Sequence, residues 1–218
     1  LFIYFRKGTR GKRMVEEKTD IIVIGAGIAG LSIACELLYA GCGKVVVLEK
    51  EPLPGMVETA KTTGGIRFQF SDELNIKLSL IAQKRLAEIE EQENWPIDFY
   101  KTGYLFLAST DEHVKTLKEG QEIQHKLGIP SQFLDNSQIR QKLTSFSLDD
   151  VRGGSICPWE GHADPSRVVD YYVRQIKQKR GEIRTRVNVT DIIVKNGSVA
   201  GVETRNGRIK APTVVNTA

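Results

Sequence analysis

The chain has 218 residues, which is enough for one large domain or two small ones with a substantial hydrophobic core. Its formal net charge is +4, but the basic excess lies in residues 1–13, and the rest of the chain is close to neutral. That balance gives no reason to expect a nucleic acid as partner, and no apolar run reaches the ~18 residues of a membrane span. The three scattered cysteines lack metal-binding spacing, so we expect no metal site and a cytoplasmic location.

Residues 1–18 are predicted to form a basic, disordered N-terminal leader; in the alternative, the basic tail at 1–13 is a translated leader upstream of a true start at Met14. The apolar run at 1–5 is too short for a secretory signal and precedes the basic residues instead of following them.

An apolar run at residues 20–24 leads directly into a glycine-rich turn and then into a segment with helical spacing. The turn, 25–30, contains Gly25, Ala26, Gly27, Ile28, Ala29 and Gly30. In a dinucleotide site the first glycine allows a tight turn, the second lets backbone approach the pyrophosphate, and the third lets helix and strand pack closely. The helix N-terminus offers N–H groups and a partial positive charge to the phosphates. The sequence therefore predicts a dinucleotide site.

A second apolar strand, 44–48, ends at Glu49 and is followed by Lys50. A carboxylate at this position can accept hydrogen bonds from both ribose hydroxyls of an adenosine. It also repels a 2′-phosphate, so the pattern favours FAD or NAD over NADP.

The later elements begin with a long connection, 50–65, of the kind that often carries function in a compact domain. Two Asn-Gly pairs, at 196–197 and 206–207, predict tight hairpins and hence a three-stranded meander over 187–211. The remaining predicted elements are a helix over 72–94 capped by Ser71 with an apolar stripe (Leu74, Leu78, Ile81, Leu86, Ile89), strands at 98–100 and 104–108, a helix at 111–127, a strand at 133–134, a helix at 137–143, a segment at 155–157 that returns to the first domain, a helix from Asp164 to Arg180, and a strand at 213–217.

Several segments, in order along the chain, resemble the FAD-dependent D-amino-acid-oxidase superfamily. Its most similar branch contains the sarcosine oxidase beta subunit, glycine oxidase and the beta subunit of dye-linked L-proline dehydrogenase. The resemblance covers residues 19–218, and its motifs are the turn at 25–30, Glu49, and the segments 62–70, 101–107, 161–165 and 214–218.

The resemblance implies an α/β fold: a Rossmann-like FAD-binding domain with a parallel sheet and a β-meander, plus part of an α+β substrate domain. We expect residues 19–96 and 151–218 to form the FAD-binding domain and residues 97–150 the partial substrate domain. It also implies oxidation of a C–N bond in a small amine or amino acid, such as sarcosine, glycine or proline, with hydride passed to the flavin. A homo-oligomer or a partner subunit is possible in such a family.

The implied site residues follow the motifs one by one. The three glycines would cradle the pyrophosphate, and Glu49 would bind the ribose. The loop residues Thr62, Thr63 and Gly64 would run along the pyrophosphate and flavin, Val189 would meet adenine, and Thr217 and Ala218 would begin a later cofactor-contacting turn. Arg67 matches a position that holds an amino-acid carboxylate in some relatives, although a salt bridge or a phosphate contact fits that residue equally well. The loop at 60–65 has no His or Cys for covalent attachment, so we expect non-covalent FAD.

The family usually runs to nearly twice this length, so further flavin and substrate contacts are expected beyond Ala218. We therefore expect the 218-residue chain alone to bind FAD weakly or not at all and not to turn over these amines. Two alternatives stay open: a non-catalytic or truncated nucleotide-binding subunit, and an NAD-dependent dehydrogenase. The long 50–65 loop and the meander speak against the second, because an ordinary NAD domain continues with further βα units.

Overall fold

The computed structural model describes residues 17–92 and 94–218. The described part of the chain divides into two compact units: the residues up to Thr59 together with Tyr172–Ala218, and Ala60–Tyr171. Residues 1–16 of the predicted leader lie outside the described residues.

Strands and helices are numbered in chain order. The strands are β1 (Glu17–Lys18), β2 (Ile21–Ile24), β3 (Val45–Leu48), β4 (Gly65–Ile66), β5 (Tyr104–Ala108), β6 (Gln132–Asp135), β7 (Gly153–Cys157), β8 (Gly161–His162), β9 (Glu182–Arg184), β10 (Val189–Lys195), β11 (Ser198–Thr204), β12 (Gly207–Lys210) and β13 (Thr213–Asn216). The helices are α1 (Ile28–Tyr39), α2 (Glu58–Lys61), α3 (Glu73–Ala87), α4 (Asp111–Lys126), α5 (Asn136–Lys142) and α6 (Pro165–Gln178), and a π-helical turn, Glu88–Gln92, follows α3.

The first unit is built on a parallel sheet with the strand order β13-β2-β3-β9. Strands β2 and β3 are short apolar runs that are almost entirely buried, as expected for parallel strands covered on both faces. A second sheet, β1-β12-β11-β10, contains the meander. Its apolar side chains and those of the parallel sheet form one core cluster: Ile22, Val46, Leu48, Val202, Ile209 and Ala211.

The predicted α/β fold class is confirmed, and so are the elements of this unit that rest on local patterns. Strand β2, helix α1, strand β3, both Asn-Gly hairpins and the last strand form where the sequence predicts them.

Two strands of the first unit were not predicted. Glu17 and Lys18 form β1, parallel to β12, instead of belonging to a disordered leader. Strand β9 pairs with β3, and its Arg184 donates hydrogen bonds to the carboxylates of Glu182 and Glu17. These bonds raise the pKa of Arg184 and lower that of Glu17. The ion cluster, which joins residues far apart in the sequence, helps to hold both edge strands in place.

The second unit contains an antiparallel sheet with the order β5-β7-β6 and a two-stranded ladder of β4 and β8. Two apolar clusters stabilise it. The first contains Phe68, Ile76, Ile129 and Cys157, and the second contains Leu134, Ile139 and Leu148.

The observed units differ from the predicted domains at both boundaries. Residues 155–157 were expected to return to the first domain, but they lie in β7, the central strand of the second unit's sheet. Helix α3 also belongs to the second unit, because its Ile76 packs against Phe68, Ile129 and Cys157. A sheet partner determines the unit of residues 155–157, and a core contact determines the unit of α3. The periodicity of apolar residues along the sequence indicates neither contact.

Helix α3 differs from its prediction at both ends and on its surface. Asp72, not Ser71, is the N-cap, since its side chain accepts a hydrogen bond from the backbone N–H of Asn75. The α-helix ends at Ala87, before the π-helical turn. Of the predicted apolar stripe, Ile89 is buried, whereas Leu74, Leu78 and Ile81 are exposed by 67%, 54% and 67%.

Two further observations concern elements expected from the sequence. The predicted strand at 98–100 is reduced to one bridge between Tyr100 and His162. In the part of the chain that the structure describes, no helix has both the length and the apolar character needed to cross a membrane.

The cap geometry gives a prediction with a built-in control. Replacing Asp72 with Ala removes the side-chain acceptor for the Asn75 N–H, whereas replacing Ser71 with Ala removes none of the hydrogen bonds at this helix start. We expect D72A to lower the melting temperature by about 2–4 °C and S71A to leave it unchanged. Thermal unfolding followed by circular dichroism measures both, and equal losses in the two variants would contradict the assigned cap.

Candidate functional site

The glycine-rich turn of the first unit connects β2 to α1. The Gly25 N–H donates to the carbonyl of Leu48 (2.8 Å), and the Gly25 φ of +98° is a value that side-chain-bearing residues rarely adopt. At Gly30, a Cβ would lie 2.0 Å from the Gly25 carbonyl oxygen and 2.6 Å from the Thr217 hydroxyl. Gly30 therefore allows α1 to approach the turn closely, as the fingerprint requires.

Gly27 has a different role from its two neighbours. It is the N-cap of α1, with φ −74° and ψ 176°, a conformation open to any residue. Among the residues that the structure describes, a Cβ there would meet only the Thr59 hydroxyl, at 3.4 Å. The fold thus tolerates a side chain at position 27, so the geometry of the chain alone does not require a glycine there.

The N-terminus of α1 presents its first backbone N–H groups, and its first turn contains no acidic side chain. The Ile28 N–H donates to the hydroxyl of Thr59 (3.2 Å), a residue of the long loop after β3. The Ala29 and Gly30 amides belong to the same turn. Such an end favours an anionic group, because both the N–H groups and the helix dipole stabilise negative charge.

Glu49, at the end of β3, is buried, with 8% of its surface exposed. One carboxylate oxygen accepts from the Ala26 N–H (2.7 Å) and the other from the Glu51 N–H (2.9 Å). The side chain therefore links the glycine-rich turn to the loop that follows β3. Each oxygen has a further lone pair, so bonds to ribose hydroxyls are compatible with these contacts.

These elements enclose a cavity of about 350 Å³ that lies wholly within the first unit. Its wall includes seven predicted site residues: Gly25, Gly27, Glu49, Lys50, Val189, Thr217 and Ala218. It also includes residues that the sequence analysis did not single out: Ile24, Leu48, Gly55, Met56, Val57, Glu58, Thr59, Val187 and Asn188. The length of the 50–65 connection was the only signal for the loop members of this second group.

The cavity has the chemistry that a dinucleotide needs. The N-cap of α1, Gly27, lines the cavity, a buried acid stands where a ribose is expected, and apolar side chains such as Val187 and Val189 suit an adenine. The residues present therefore fit the adenosine diphosphate half of FAD.

Ile28, Ala29 and Gly30 lie in the first turn of α1, whereas the predicted site residues of the 60–67 segment lie in the second unit and are described there by themselves. The Thr62 hydroxyl accepts from the Gly64 N–H (3.2 Å), the Gly64 carbonyl accepts from the Ala163 N–H (3.0 Å), and Thr63 is exposed. Arg67 follows β4 and is exposed; its guanidinium carbon lies 5.7 Å from the ring centroid of Tyr104. Among the described residues, no cluster of three His, Cys, Asp or Glu side chains could hold a metal ion.

Glu160, in the turn between β7 and β8, is a second buried acid that the sequence analysis missed. It is wholly inaccessible to solvent, and it accepts hydrogen bonds from the backbone N–H groups of Phe68 and Gln69 and from the Gln69 side chain. Burial raises the pKa of its carboxyl, against the lowering effect of these donors and of Arg67. Its only sequence signal is an acid next to Gly161 in a short connection between strands.

Comparison with known proteins decides the family. A family model described as FAD dependent oxidoreductase matches residues 20–218. The chain belongs to the FAD-dependent oxidoreductase family.

Individual relatives agree with this membership. The chain is 31% identical over 183 residues to FAD-dependent oxidoreductase domain-containing protein 1 of Xenopus laevis, covering 77% of this chain and 36% of that protein. It is 27% identical to human mitochondrial sarcosine dehydrogenase, covering 94% of this chain and 23% of that protein. Among solved structures, the L-proline dehydrogenase from P. horikoshii superimposes with a TM-score of 0.79 at 34% identity, covering 94% of this chain and 54% of that chain.

Family membership confirms the resemblance seen in the sequence and identifies FAD as the family's cofactor. The alternative of an NAD-dependent dehydrogenase is set aside on this finding. The chain spans about a third or less of these two curated relatives and about half of the solved one.

The second and third glycines of the turn, Gly27 and Gly30, give a matched pair of variants. We expect Gly27→Ala to leave the fold intact and to reduce FAD or ADP binding strongly, because the added methyl group occupies the approach of the pyrophosphate. We expect Gly30→Ala to destabilise the protein, because its Cβ would lie 2.0 Å from a backbone oxygen. Melting temperature and ADP titration calorimetry separate the two effects. Undiminished ADP binding by folded G27A would show that the phosphate site is elsewhere.

A second pair tests the buried acid. We expect Glu49→Gln to weaken ADP binding by about 1.5–3 kcal/mol, because an amide cannot replace both charged acceptors. The neighbouring Glu51→Gln makes the same change in net charge outside the cavity wall and should leave the dissociation constant unchanged. An unaltered affinity in E49Q, or an equal loss in E51Q, would argue against a ribose contact at Glu49.

Proposed function

We propose that this chain supplies the FAD-binding element and a carboxylate-binding arginine to an enzyme that oxidises the C–N bond of a small amine or amino acid. Sarcosine, glycine and proline are the candidate substrates. The observation that carries the proposal is the exposed guanidinium of Arg67 beside the Tyr104 ring, in a chain of the FAD-dependent oxidoreductase family. Similarity to a sarcosine dehydrogenase and to an L-proline dehydrogenase supports this substrate class.

The first unit would hold the adenosine half of the cofactor. The helix N–H groups after Gly27 would take the pyrophosphate, and Glu49 would take the ribose. When bound, FAD supplies the hydride acceptor for the reaction. The loop at 60–65 contains no His or Cys, so we propose that FAD is held without a covalent bond.

Arg67 has the chemistry to orient an amino acid by its carboxylate. A guanidinium donates two parallel N–H bonds to a carboxylate, which fixes direction as well as distance. The Tyr104 ring lies within cation–π range of this group and limits its orientations. A substrate held in this way would keep the same C–H bond directed toward the hydride acceptor, and a fixed orientation of this kind is what fast hydride transfer requires.

The test uses the complete product, which is the protein as its source cell makes it, whatever its length and partner chains, with the 218-residue chain in parallel. Mass spectrometry after denaturation identifies the released cofactor, and anaerobic addition of L-proline, sarcosine or glycine follows bleaching of the flavin absorption. We expect the complete product to release intact FAD and at least one of these amines to bleach it. We expect little or no bleaching in the 218-residue chain alone. A complete product that holds FAD and is reduced by none of the three would overturn the proposed substrate class.

Arg67→Met should raise KM for the reactive amino acid between about tenfold and a hundredfold, the loss of a charge-assisted carboxylate pair. Arg140→Met removes an exposed arginine from α5 in the same unit and serves as control, with KM unchanged. Amines without a carboxylate should not distinguish R67M from the wild type. An R67M enzyme with the KM of the wild type would place the carboxylate site elsewhere.

A further inference from the structure

The turn between β7 and β8 holds a buried acid that the proposed reaction does not use. The Glu160 carboxylate has no solvent-accessible surface. One oxygen accepts from the backbone N–H groups of Phe68 (2.5 Å) and Gln69 (2.9 Å), and the other accepts from the Gln69 side-chain amide (2.6 Å). All three partners are donors, so the environment suits the ionised form, although burial raises the pKa.

The same turn is hydrogen-bonded to the chain on both sides of Arg67. Gly161 and His162 pair with Ile66 and Gly65 in the β4–β8 ladder, which fixes the backbone before Arg67. The Glu160 carboxylate fixes the two residues after it. Arg67 therefore lies between two anchors supplied by residues 160–162.

A further hydrogen bond connects the Glu160 carboxylate, through Gln69, to the residue whose ring lies beside Arg67. The Gln69 amide nitrogen donates to Glu160 and also to the carbonyl oxygen of Tyr104 (3.1 Å). Tyr104 is the residue whose ring lies under the guanidinium. One carboxylate thus holds the backbone of the two residues after Arg67 directly, and it holds the aromatic neighbour of Arg67 through Gln69.

The turn itself has little freedom to move. A Cβ at Gly161 would lie 1.9 Å from the Tyr100 carbonyl oxygen, and the Glu160 carbonyl accepts from the Gly103 N–H (2.8 Å). Residues 160–162 are therefore packed against the chain that leads into β5. A rigid support of this kind can transmit position to the groups it holds.

We propose that Glu160 is a positioning residue that fixes Arg67 against Tyr104. The geometric part of the proposal concerns this chain alone. The consequence for substrate binding rests on the proposed function.

Glu160→Gln tests the geometric part without any ligand. An amide in place of the carboxylate can keep the backbone bonds through its oxygen, but its NH₂ group then faces the Gln69 amide. If Gln69 turns its oxygen toward that NH₂ group, it loses the bond to the Tyr104 carbonyl. If Gln69 does not turn, two NH₂ groups face each other and the bond between residues 160 and 69 is lost. In both cases the hydrogen-bonded path from residue 160 to Tyr104 is broken.

The measurement is ¹⁵N relaxation of the Arg67 backbone amide and side-chain Nε in the folded protein. We expect the order parameter of the Arg67 side-chain Nε to fall toward about 0.6 in E160Q, because the link to Tyr104 is lost, while the backbone amide stays near about 0.85. Glu122→Gln, at an exposed position on α4 of the same unit, is the charge-matched control and should change neither signal. Unchanged order at the Arg67 Nε in folded E160Q would overturn the proposal.

If E160Q does not fold, Gln69→Met decides the question. It removes the side-chain bridge to Glu160 and Tyr104 and leaves the backbone bonds of the carboxylate in place. We expect increased motion at the Arg67 side-chain Nε and little change at its backbone amide. An Nε signal identical to that of the wild type would reject the positioning role.

A kinetic cycle tests the consequence for substrate. We expect E160Q to raise KM for the reactive amino acid about tenfold with little change in kcat, and to add nothing further in the R67M background. An equal rise of KM in both backgrounds would show a structural effect that does not act through Arg67. If no amine reduces the wild-type flavin, the proposed function fails, while the relaxation data still decide the role of Glu160.

Discussion

Glu49 joins four segments of the first unit. Its backbone N–H donates to the Arg184 carbonyl of β9, its carbonyl accepts from the Val187 N–H, and its carboxylate accepts from Ala26 and Glu51. A carboxylate this deeply buried is costly unless it is well bonded, and here backbone N–H groups satisfy both oxygens. The position of the glycine-rich turn, of the loop after β3 and of the approach to β10 all depend on this one residue.

The last strand completes the same arrangement from the other side. Both the N–H and the hydroxyl of Thr217 donate to the Ile24 carbonyl, at 2.9 and 2.7 Å. The hydroxyl then lies where a side chain at Gly30 would be. The absence of that side chain therefore allows both the close approach of α1 and the position of the residue after β13. Residues almost 200 positions apart in the sequence are fixed by that single approach.

What the sequence predicted well depends on interactions within short windows. The β2–α1–β3 unit shows an apolar run, a glycine spacing and an acid, each of which has a local physical cause. The two hairpins follow from the conformational preference of Asn-Gly. The cavity residues Gly25, Gly27 and Glu49 could be named from the sequence because the motif that forms the turn is the motif that binds the ligand.

The wrong or missing assignments concern a helix cap, a strand and a helix face that are determined by contacts with residues distant in the sequence. Asp72 and Ser71 are both good caps by composition, and only the backbone path selects Asp72. Strand β9 has charged residues at two of its three positions and is held by β3 and by the Arg184 ion cluster, so no apolar pattern marks it. Leu74, Leu78 and Ile81 keep helical spacing, yet the core of the second unit lies along the face of Ile76.

The two buried acids solve the same physical problem in different units. A loop that presents a ligand-binding group cannot use regular secondary structure for its own N–H groups, and each buried N–H still needs an acceptor. A carboxylate accepts several bonds from one short side chain, so it can hold two consecutive or nearby amides in a fixed geometry. Glu49 does this for Ala26 and Glu51, and Glu160 does it for Phe68 and Gln69.

Each acid lies beside a group with a proposed role in binding, which is the start of α1 for Glu49 and the Arg67 side chain for Glu160. The acid holds the neighbouring backbone from the interior, and the group itself faces outward. We propose that order at the ligand-binding group offsets the cost of burying the acid, because a group already in place loses less entropy when it binds.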